Sequence, residues 1–211
     1  MKIAILGGTG SLGAGLALRL SRRHEVMIGS RSAEKADKIA AQLSARAGIR
    51  IAGGTSIQTA DACGAAILAV SYDPGKAFLK SLEEPLSGKL VLSPVVPMKL
   101  EAGMFYYSKE NGSAAESVAA LLKKSAVAAA FHTVPAPLLL KTDVPLDLDV
   151  AVAADSRRTF DAAASIVSSV DGLRPLYAGP LSTARTLEGL VPLLLNLAKQ
   201  NSLHNLSVKF V

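Results

Sequence analysis

The sequence has little with which to build a disulfide framework or a metal centre. It holds one cysteine, Cys63, and three scattered histidines, His24, His132 and His204. A lone cysteine forms no intramolecular bridge, and with no CxxC or HxxxH spacing no metal site is expected. Tryptophan is absent and aromatic residues make up 4% of the chain, which removes the stacking platforms that hold single-stranded nucleic acids. The net charge of +6 does not restore that reading. Its basic residues are spread as Arg22-Arg23, Lys123-Lys124 and Arg157-Arg158 with no aromatic-interleaved tract, and a small polyanionic ligand fits them better. Long apolar runs are missing too: Gly189 to Leu197 and Ala126 to Phe131 fall well short of the roughly 18 residues of a membrane helix. Lys2 followed by Ile3 to Leu6 is too short for a secretory signal. The expectation is a cytoplasmic protein with neither a nucleic-acid nor a membrane partner.

What is present is a chain of 211 residues, 50% hydrophobic, enough for one core and a small appendage. Short apolar runs alternate with amphipathic stretches. Strands are expected at Lys2 to Leu6, Glu25 to Ile28, Arg50 to Ala52, Ala66 to Val70, Lys89 to Leu92 and Val127 to Phe131. Helices are expected at Leu12 to Arg23, Ala33 to Ala47, Pro74 to Leu86 and Ser113 to Lys124. This alternation predicts a doubly wound, Rossmann-type parallel sheet covered on both faces. After His132 the texture changes to Thr-Val-Pro-Ala-Pro, which reads as the exit from the sheet. A boundary near Pro137 divides a Rossmann domain, 1–137, from a small C-terminal α+β domain, 138–211. In the latter, Leu148 to Ala153 and Arg174 to Tyr177 read as strands and Ser156 to Val170 and Leu181 to Gln200 as helices. Pro192 is expected to bend the last helix, whose leucine stripe needs a partner face within the chain or across a homodimer.

The strongest chemical signal is Gly7-Gly8-Thr9-Gly10-Ser11-Leu12-Gly13. Gly8, Gly10 and Gly13 satisfy GxGxxG between an apolar strand and a helix, where glycine permits a tight turn and close approach of a pyrophosphate to the helix N-terminus. At the end of the second strand, where an NAD-binding protein usually carries a carboxylate, stand Ser30 and Arg31, with Lys35 one turn on. A hydroxyl, a guanidinium and an ammonium there suit a 2′-phosphate, hence NADP. Gly7, Gly10 and Gly13 also fit the spacing of short-chain dehydrogenases, but the Tyr-xxx-Lys pair of that family is absent, since Tyr106 and Tyr107 both stand too close to Lys109.

Six blocks in order carry a resemblance over the whole chain: GGTGSLGAGLALRL, GSR followed by EKA, SPVVP at Ser93 to Pro97, AFHTVPA at Ala130 to Ala136, DGLRPLYAGPLS at Asp171 to Ser182, and the closing VKF. In these the sequence resembles the NADPH-dependent F420 reductases. The resemblance implies a Rossmann domain with a small C-terminal domain, usually dimeric, moving a hydride between NADP(H) and coenzyme F420, a 5-deazaflavin, or a flavin. It implies NADP contacts at Thr9 to Leu12, Ser30, Arg31, Lys35, Val70, Ser71, Val96 and Ala136, and a deazaflavin contact at Leu206. The sequence departs from the family's pattern at Ser71-Tyr72, where archaeal members tend to have Pro-Trp, and at Gly189 and Val191, where members often carry small hydroxyl residues.

Hydride transfer between two heterocycles asks the protein for positioning and dry walls, which agrees with the lack of an acid/base set; His132 is the one candidate for a polar contact to the acceptor. Two other readings remain at this level. One is an NADP-dependent reductase of a carbonyl or imine with a proton donor from Tyr72, His132 or Lys141; the other is a non-catalytic NADP sensor.

Overall fold

The computed structural model describes residues 1–72, 76–109 and 111–211. In chain order the elements are β1 (Lys2–Leu6), α1 (Ser11–Leu20), β2 (Glu25–Ser30), α2 (Ala33–Ala47), β3 (Ile51–Thr55), α3 (Ser56–Ala62), β4 (Ala65–Leu68), α4 (Lys76–Ser81) and β5 (Leu90–Ser93). They continue with β6 (Met98–Glu101), β7 (Met104–Tyr107), α5 (Ala114–Leu121), β8 (Ala126–Ala129), α6 (Ala136–Leu140), β9 (Leu148–Ala154), α7 (Arg157–Ser168) and β10 (Leu173–Gly179). A 3-10 turn, Leu181–Thr183, then leads into α8 (Ala184–Gln200).

Eight strands form one sheet in the order β10-β9-β8-β5-β4-β1-β2-β3, parallel throughout except for the antiparallel β8–β9 pair. Both faces are covered, as continuous apolar strands require. Along β1 the side chains alternate between two cores. Ile3 and Ile5 pack with Leu16 of α1, Leu43 of α2 and Ile166 of α7, while Ala4 and Leu6 pack with Leu79 of α4, Val118 of α5 and Leu187 of α8. Strand order reverses between β1 and β4, and such a switch point opens a crevice at the carboxyl ends of the strands.

The expected strands and helices form, with shifts of a few residues at their ends. The expected start of the fourth helix at Pro74 lies outside the described residues, and the helix itself ends at Ser81 rather than Leu86. The chain does leave the sheet after β8, yet residues 138–211 form no sheet of their own. β9 returns to pair with β8, and β10 extends the sheet beyond it. One of the two cores runs without a break from Ile3 to Leu173, so Pro137 divides the chain by position along the sheet and not by core. The short helices α3 and α6 and the β6–β7 hairpin were not expected. The β6–β7 hairpin stands apart as a two-stranded sheet, and Asn196 of α8 holds it by bonding both backbone groups of Phe105, each at 2.8 Å. The Pro-rich segment forms the short α6, with Pro137 in its first turn, where a missing N–H costs nothing. α8 runs on through Pro192.

Candidate functional site

The first crossover is shaped by two close approaches. Gly7 has φ of +77°, and a Cβ on Gly13 would lie 2.5 Å from Gly8 Cα, so the loop folds onto the start of α1 only with glycine at both places. At Gly10, the N-cap of α1, a Cβ would meet nothing within 4 Å, and no side chain caps the helix. The first N–H groups of a helix ten residues long therefore face open space with partial positive charge behind them.

A cleft of about 350 Å³ opens there at the switch point, lined by Thr9 and Gly10 from the loop, Ser30, Arg31 and Lys35 from the β2–α2 junction, and Val70 and Ser71 after β4. These seven residues, expected as nucleotide contacts, are thus brought together. Arg31 and Lys35 are exposed, and neither side chain has a hydrogen-bond or ion-pair partner among the described residues. Ser32 caps α2 by accepting from Lys35 N–H at 3.2 Å, which puts the Lys35 side chain on the first helical turn beside Arg31. Gly8, Ser11, Leu12 and Gly13 belong to the loop and first turn of α1 without lining the cleft. Gly7, Ser56, Ala69 and Phe78 line it as well. The signal for Ser56 was available, because it follows β3 at the same strand-end level as Arg31; Phe78 comes from a helix whose register the sequence leaves open.

A second cleft, about 330 Å³ and mainly apolar, is bounded on one side by residues 132–137, on another by Val191, Leu194, Leu195 and Ala198 of α8, and on a third by Asn205 and Leu206. His132, Ala136 and Leu206, expected from separate parts of the sequence, meet here. Val96 lines neither cleft; it sits half-buried between β5 and the hairpin.

His132 follows Phe131, a buried aromatic residue held at φ of +67°. For a bulky side chain that conformation is costly and persists where surrounding packing imposes it. Burial pushes the His132 pKa down to about 4, so the imidazole is neutral near pH 7. Its Nε2 is buried without a hydrogen-bond partner, and so is Ser207 Oγ, one residue beyond Leu206. Groups of this kind are normally satisfied by protein, water or ligand. On α8, Glu188, fully buried, accepts from Tyr107 Oη at 2.8 Å and from the N–H groups of Ala114 and Ala115 at 2.9 and 3.0 Å. Burial raises its pKa and these bonds oppose the rise. Burial together with Glu188 pushes the Tyr107 phenol well above its ordinary value. Both groups are engaged with each other and with the N-terminus of α5, so neither is an acid or base in waiting. Among the described residues no cluster of His, Cys, Asp or Glu is arranged to hold a metal, and no helix is long and apolar enough to cross a membrane.

A doubly wound sheet, a glycine-rich first crossover and an open cleft at the switch point make up the architecture of Rossmann-type dinucleotide-binding proteins. Residues 2–97 match the family model described as NADP oxidoreductase, coenzyme F420-dependent. The F420-dependent NADP reductase of Methanothermobacter marburgensis is 38% identical over 218 aligned positions, covering 99% of this chain and 97% of that protein. The reductase of the same name from Methanocaldococcus jannaschii is 36% identical, covering 93% and 92%. A crystal structure of a protein from Arthrobacter sp. FB24 has the same fold, with a TM-score of 0.84 and 24% identity, covering 100% of this chain and 99% of that one. The chain belongs to the F420-dependent NADP reductase family.

Proposed function

We propose that this protein is an oxidoreductase that transfers a hydride between NADP(H) and coenzyme F420. The observation that carries the reading is the pairing of two unlike clefts. One is polar, glycine-floored and edged by the cations of Arg31 and Lys35; the other is apolar and is lined by His132, whose buried Nε2 has no hydrogen-bond partner. The first suits a nucleotide with a phosphate on its ribose, the second a planar ring with a few polar atoms at its edge. Residues 1–137 carry the nucleotide: Gly8 to Gly13 form the loop and first turn of α1, and Ser30, Arg31, Lys35, Val70 and Ser71 line the polar cleft, while Ala136 borders the apolar cleft and Val96 lies outside both. Residues 138–211 supply the remaining acceptor wall, through Leu206 and α8, and the contacts between subunits.

When bound, the nicotinamide and the deazaflavin supply the redox chemistry themselves, one giving and the other accepting the hydride. The α1 N-terminus neutralises the pyrophosphate, Arg31 and Lys35 fix the adenosine end, and the leucines of α8 exclude water from the transfer. His132 donates or accepts one hydrogen bond through Nε2. Being neutral, it does not supply a proton at pH 7, which speaks against a carbonyl or imine reductase driven by this residue.

The test is isotopic. Deuterium carried on the reactive face of labelled NADPH should appear at C5 of the deazaflavin with no exchange into water, and His132→Ala should slow turnover by no more than about 100-fold, the lower end for acid/base catalysis. Washout of the label, or near-complete loss of rate in the variant, would reject direct transfer.

The protein acts in the cytoplasm on these two diffusible substrates and as a homodimer. Leu193 and Leu197 of α8 and Leu203 beyond it are each more than two-fifths exposed, which is more apolar surface than a helix end normally leaves in water. Sedimentation equilibrium should return a mass near twice 21.8 kDa; a monomer at micromolar concentration would contradict the dimer.

A further inference from the structure

After α8 the chain doubles back along the sheet. β8 pairs with β9 only at Ala153 and Ala154, which leaves the start of β9 without a strand on that side. The C-terminal tail occupies the gap, with Asp149 N–H donating to Val208 O at 3.3 Å. One such bond sets no register. The register is set by a side-chain pair: Arg174 donates through Nε and Nη2 to the two oxygens of Asp149, at 2.7 and 2.8 Å. The pair then takes both backbone groups of one tail residue. Phe210 N–H donates to Asp149 Oδ2 at 2.6 Å, and Arg174 Nη2 donates to Phe210 O at 2.8 Å. Lys209 adds an exposed bond to Asp147. The Asp149 side chain is 2% exposed. Arg174 and the Phe210 N–H hold its pKa down at about 2, so the carboxylate is charged at any working pH. Four residues before Phe210, Leu206 lines the apolar cleft opposite residues 132–137.

We infer that Asp149 and Arg174 are positioning residues for the hydride acceptor: by clamping the backbone of Phe210 they fix the tail as one wall of the apolar cleft. This rests on the function proposed above, in which that cleft holds the acceptor ring. A bidentate guanidinium–carboxylate pair is the strong, orientation-fixing form of such a contact. A tail held by it presents Leu206 at a fixed distance, whereas a released tail lets the wall drift, and displacements of about 1 Å are known to cost up to about 100-fold in rate.

The experiment uses the full-length chain with Asp149→Asn and, separately, Arg174→Lys, which keeps the charge and gives up the fork. Both variants should raise the KM for F420 by about tenfold or more, the equivalent of one lost charge-assisted bond. NADPH affinity, read by fluorescence titration, should stay at the wild-type value. Carboxypeptidase, with no substrate present, should trim the variants' tails faster than the wild type's. A tail that is no easier to digest, a freed tail with unchanged KM, or a parallel loss of NADPH affinity would each overturn the inference. Should Asp149→Asn fail to fold, Arg174→Lys carries the same readouts. A wild-type protein inactive with F420 would refute the proposed function instead, and the digestion rates separate that result from failure of the clamp.

Discussion

Arg19→Met is expected to destabilise the protein by about 2–4 kcal/mol, because it strips buried carbonyls of a charged donor. At this chain length that lowers Tm by roughly 4–16 °C. Arg19 lies on α1, is 5% exposed, and reaches across to the end of α6. Its Nε donates to Leu139 O at 3.2 Å, while Nη2 approaches Leu138 O, Lys141 O and Val144 O at 2.9, 2.7 and 2.9 Å. Nη2 has only two hydrogens for three oxygens, so the bonds are shared and their strengths do not add. Leu138 O and Lys141 O also accept from the N–H groups of Lys141 and Val144, at 3.2 and 3.0 Å, so Leu139 O and Val144 O are the carbonyls that depend on Arg19. Water cannot readily replace the guanidinium, because α1 and α6 touch closely; a Cβ on Gly15 would lie 2.5 Å from Leu139 Cβ. Methionine preserves the packing of the aliphatic stem and leaves Leu139 O and Val144 O without a donor. Thermal and urea unfolding measure the effect, and a loss below about 0.5 kcal/mol, the ordinary range for surface changes, would show that the carbonyls find other donors. The result bears on function as well, since α6 carries Ala136 and Pro137 of the apolar cleft.

The same arginine shows where sequence reading stops. In the sequence, Arg19, Arg22 and Arg46 are basic residues on two amphipathic helices, and they add to a charge excess that invites an anionic partner. In the fold all three reach the same loop, Arg19 from a buried position and Arg22 and Arg46 from exposed ones. Arg22 donates to Thr142 O and Arg46 to Leu140 O, beside the carbonyls held by Arg19. These three guanidiniums are thus engaged within the molecule, whereas the side chains of Arg31 and Lys35 at the polar cleft have no partner among the described residues. Periodicity could not separate the two groups, because partners 94 to 125 residues apart leave no trace in local spacing.

The parallel sheet was legible because its signals are local: β1 alternates between two buried faces, a glycine turn follows, and a helix begins. The polar cleft at the switch point was legible for the same reason, since Thr9, Gly10, Ser30, Arg31, Val70 and Ser71 all stand at strand ends, where a doubly wound sheet gathers them. What the sequence concealed is set by tertiary contact. The β6–β7 hairpin depends on Asn196, some 90 residues away. α6 depends on Arg19. The membership of β9 in the main sheet depends on an antiparallel return that no crossover rule requires. The turn at Phe131 breaks a strand that its apolar residues would continue, and no residue of the left-handed kind, glycine or asparagine, announces it.

Arg31→Ala is expected to weaken NADPH binding by about 10-fold to 100-fold, the worth of one or two charge-assisted hydrogen bonds to a phosphate, and to leave NADH binding almost unchanged. The selectivity is the substance of the prediction. Arg31 follows β2 and lines the polar cleft; in the proposed binding mode it meets the 2′-phosphate, the one group by which the two nucleotides differ. The side chain is exposed, so solvent and salt screen its charge, and the difference between wild type and variant should narrow as ionic strength rises. Lys35→Ala should have a smaller effect in the same direction, since an ammonium meets the phosphate as a point charge without the planar fork of a guanidinium. Titration of each variant with NADPH, NADH and free 2′-phospho-AMP at two salt concentrations makes the comparison. The phosphorylated fragment should lose affinity for Arg31→Ala in the same proportion as the whole nucleotide. Equal losses for NADPH and NADH would mean that Arg31 shapes the loop and does not read the phosphate, and the basis for NADP preference at Ser30, Arg31 and Lys35 would fall with it.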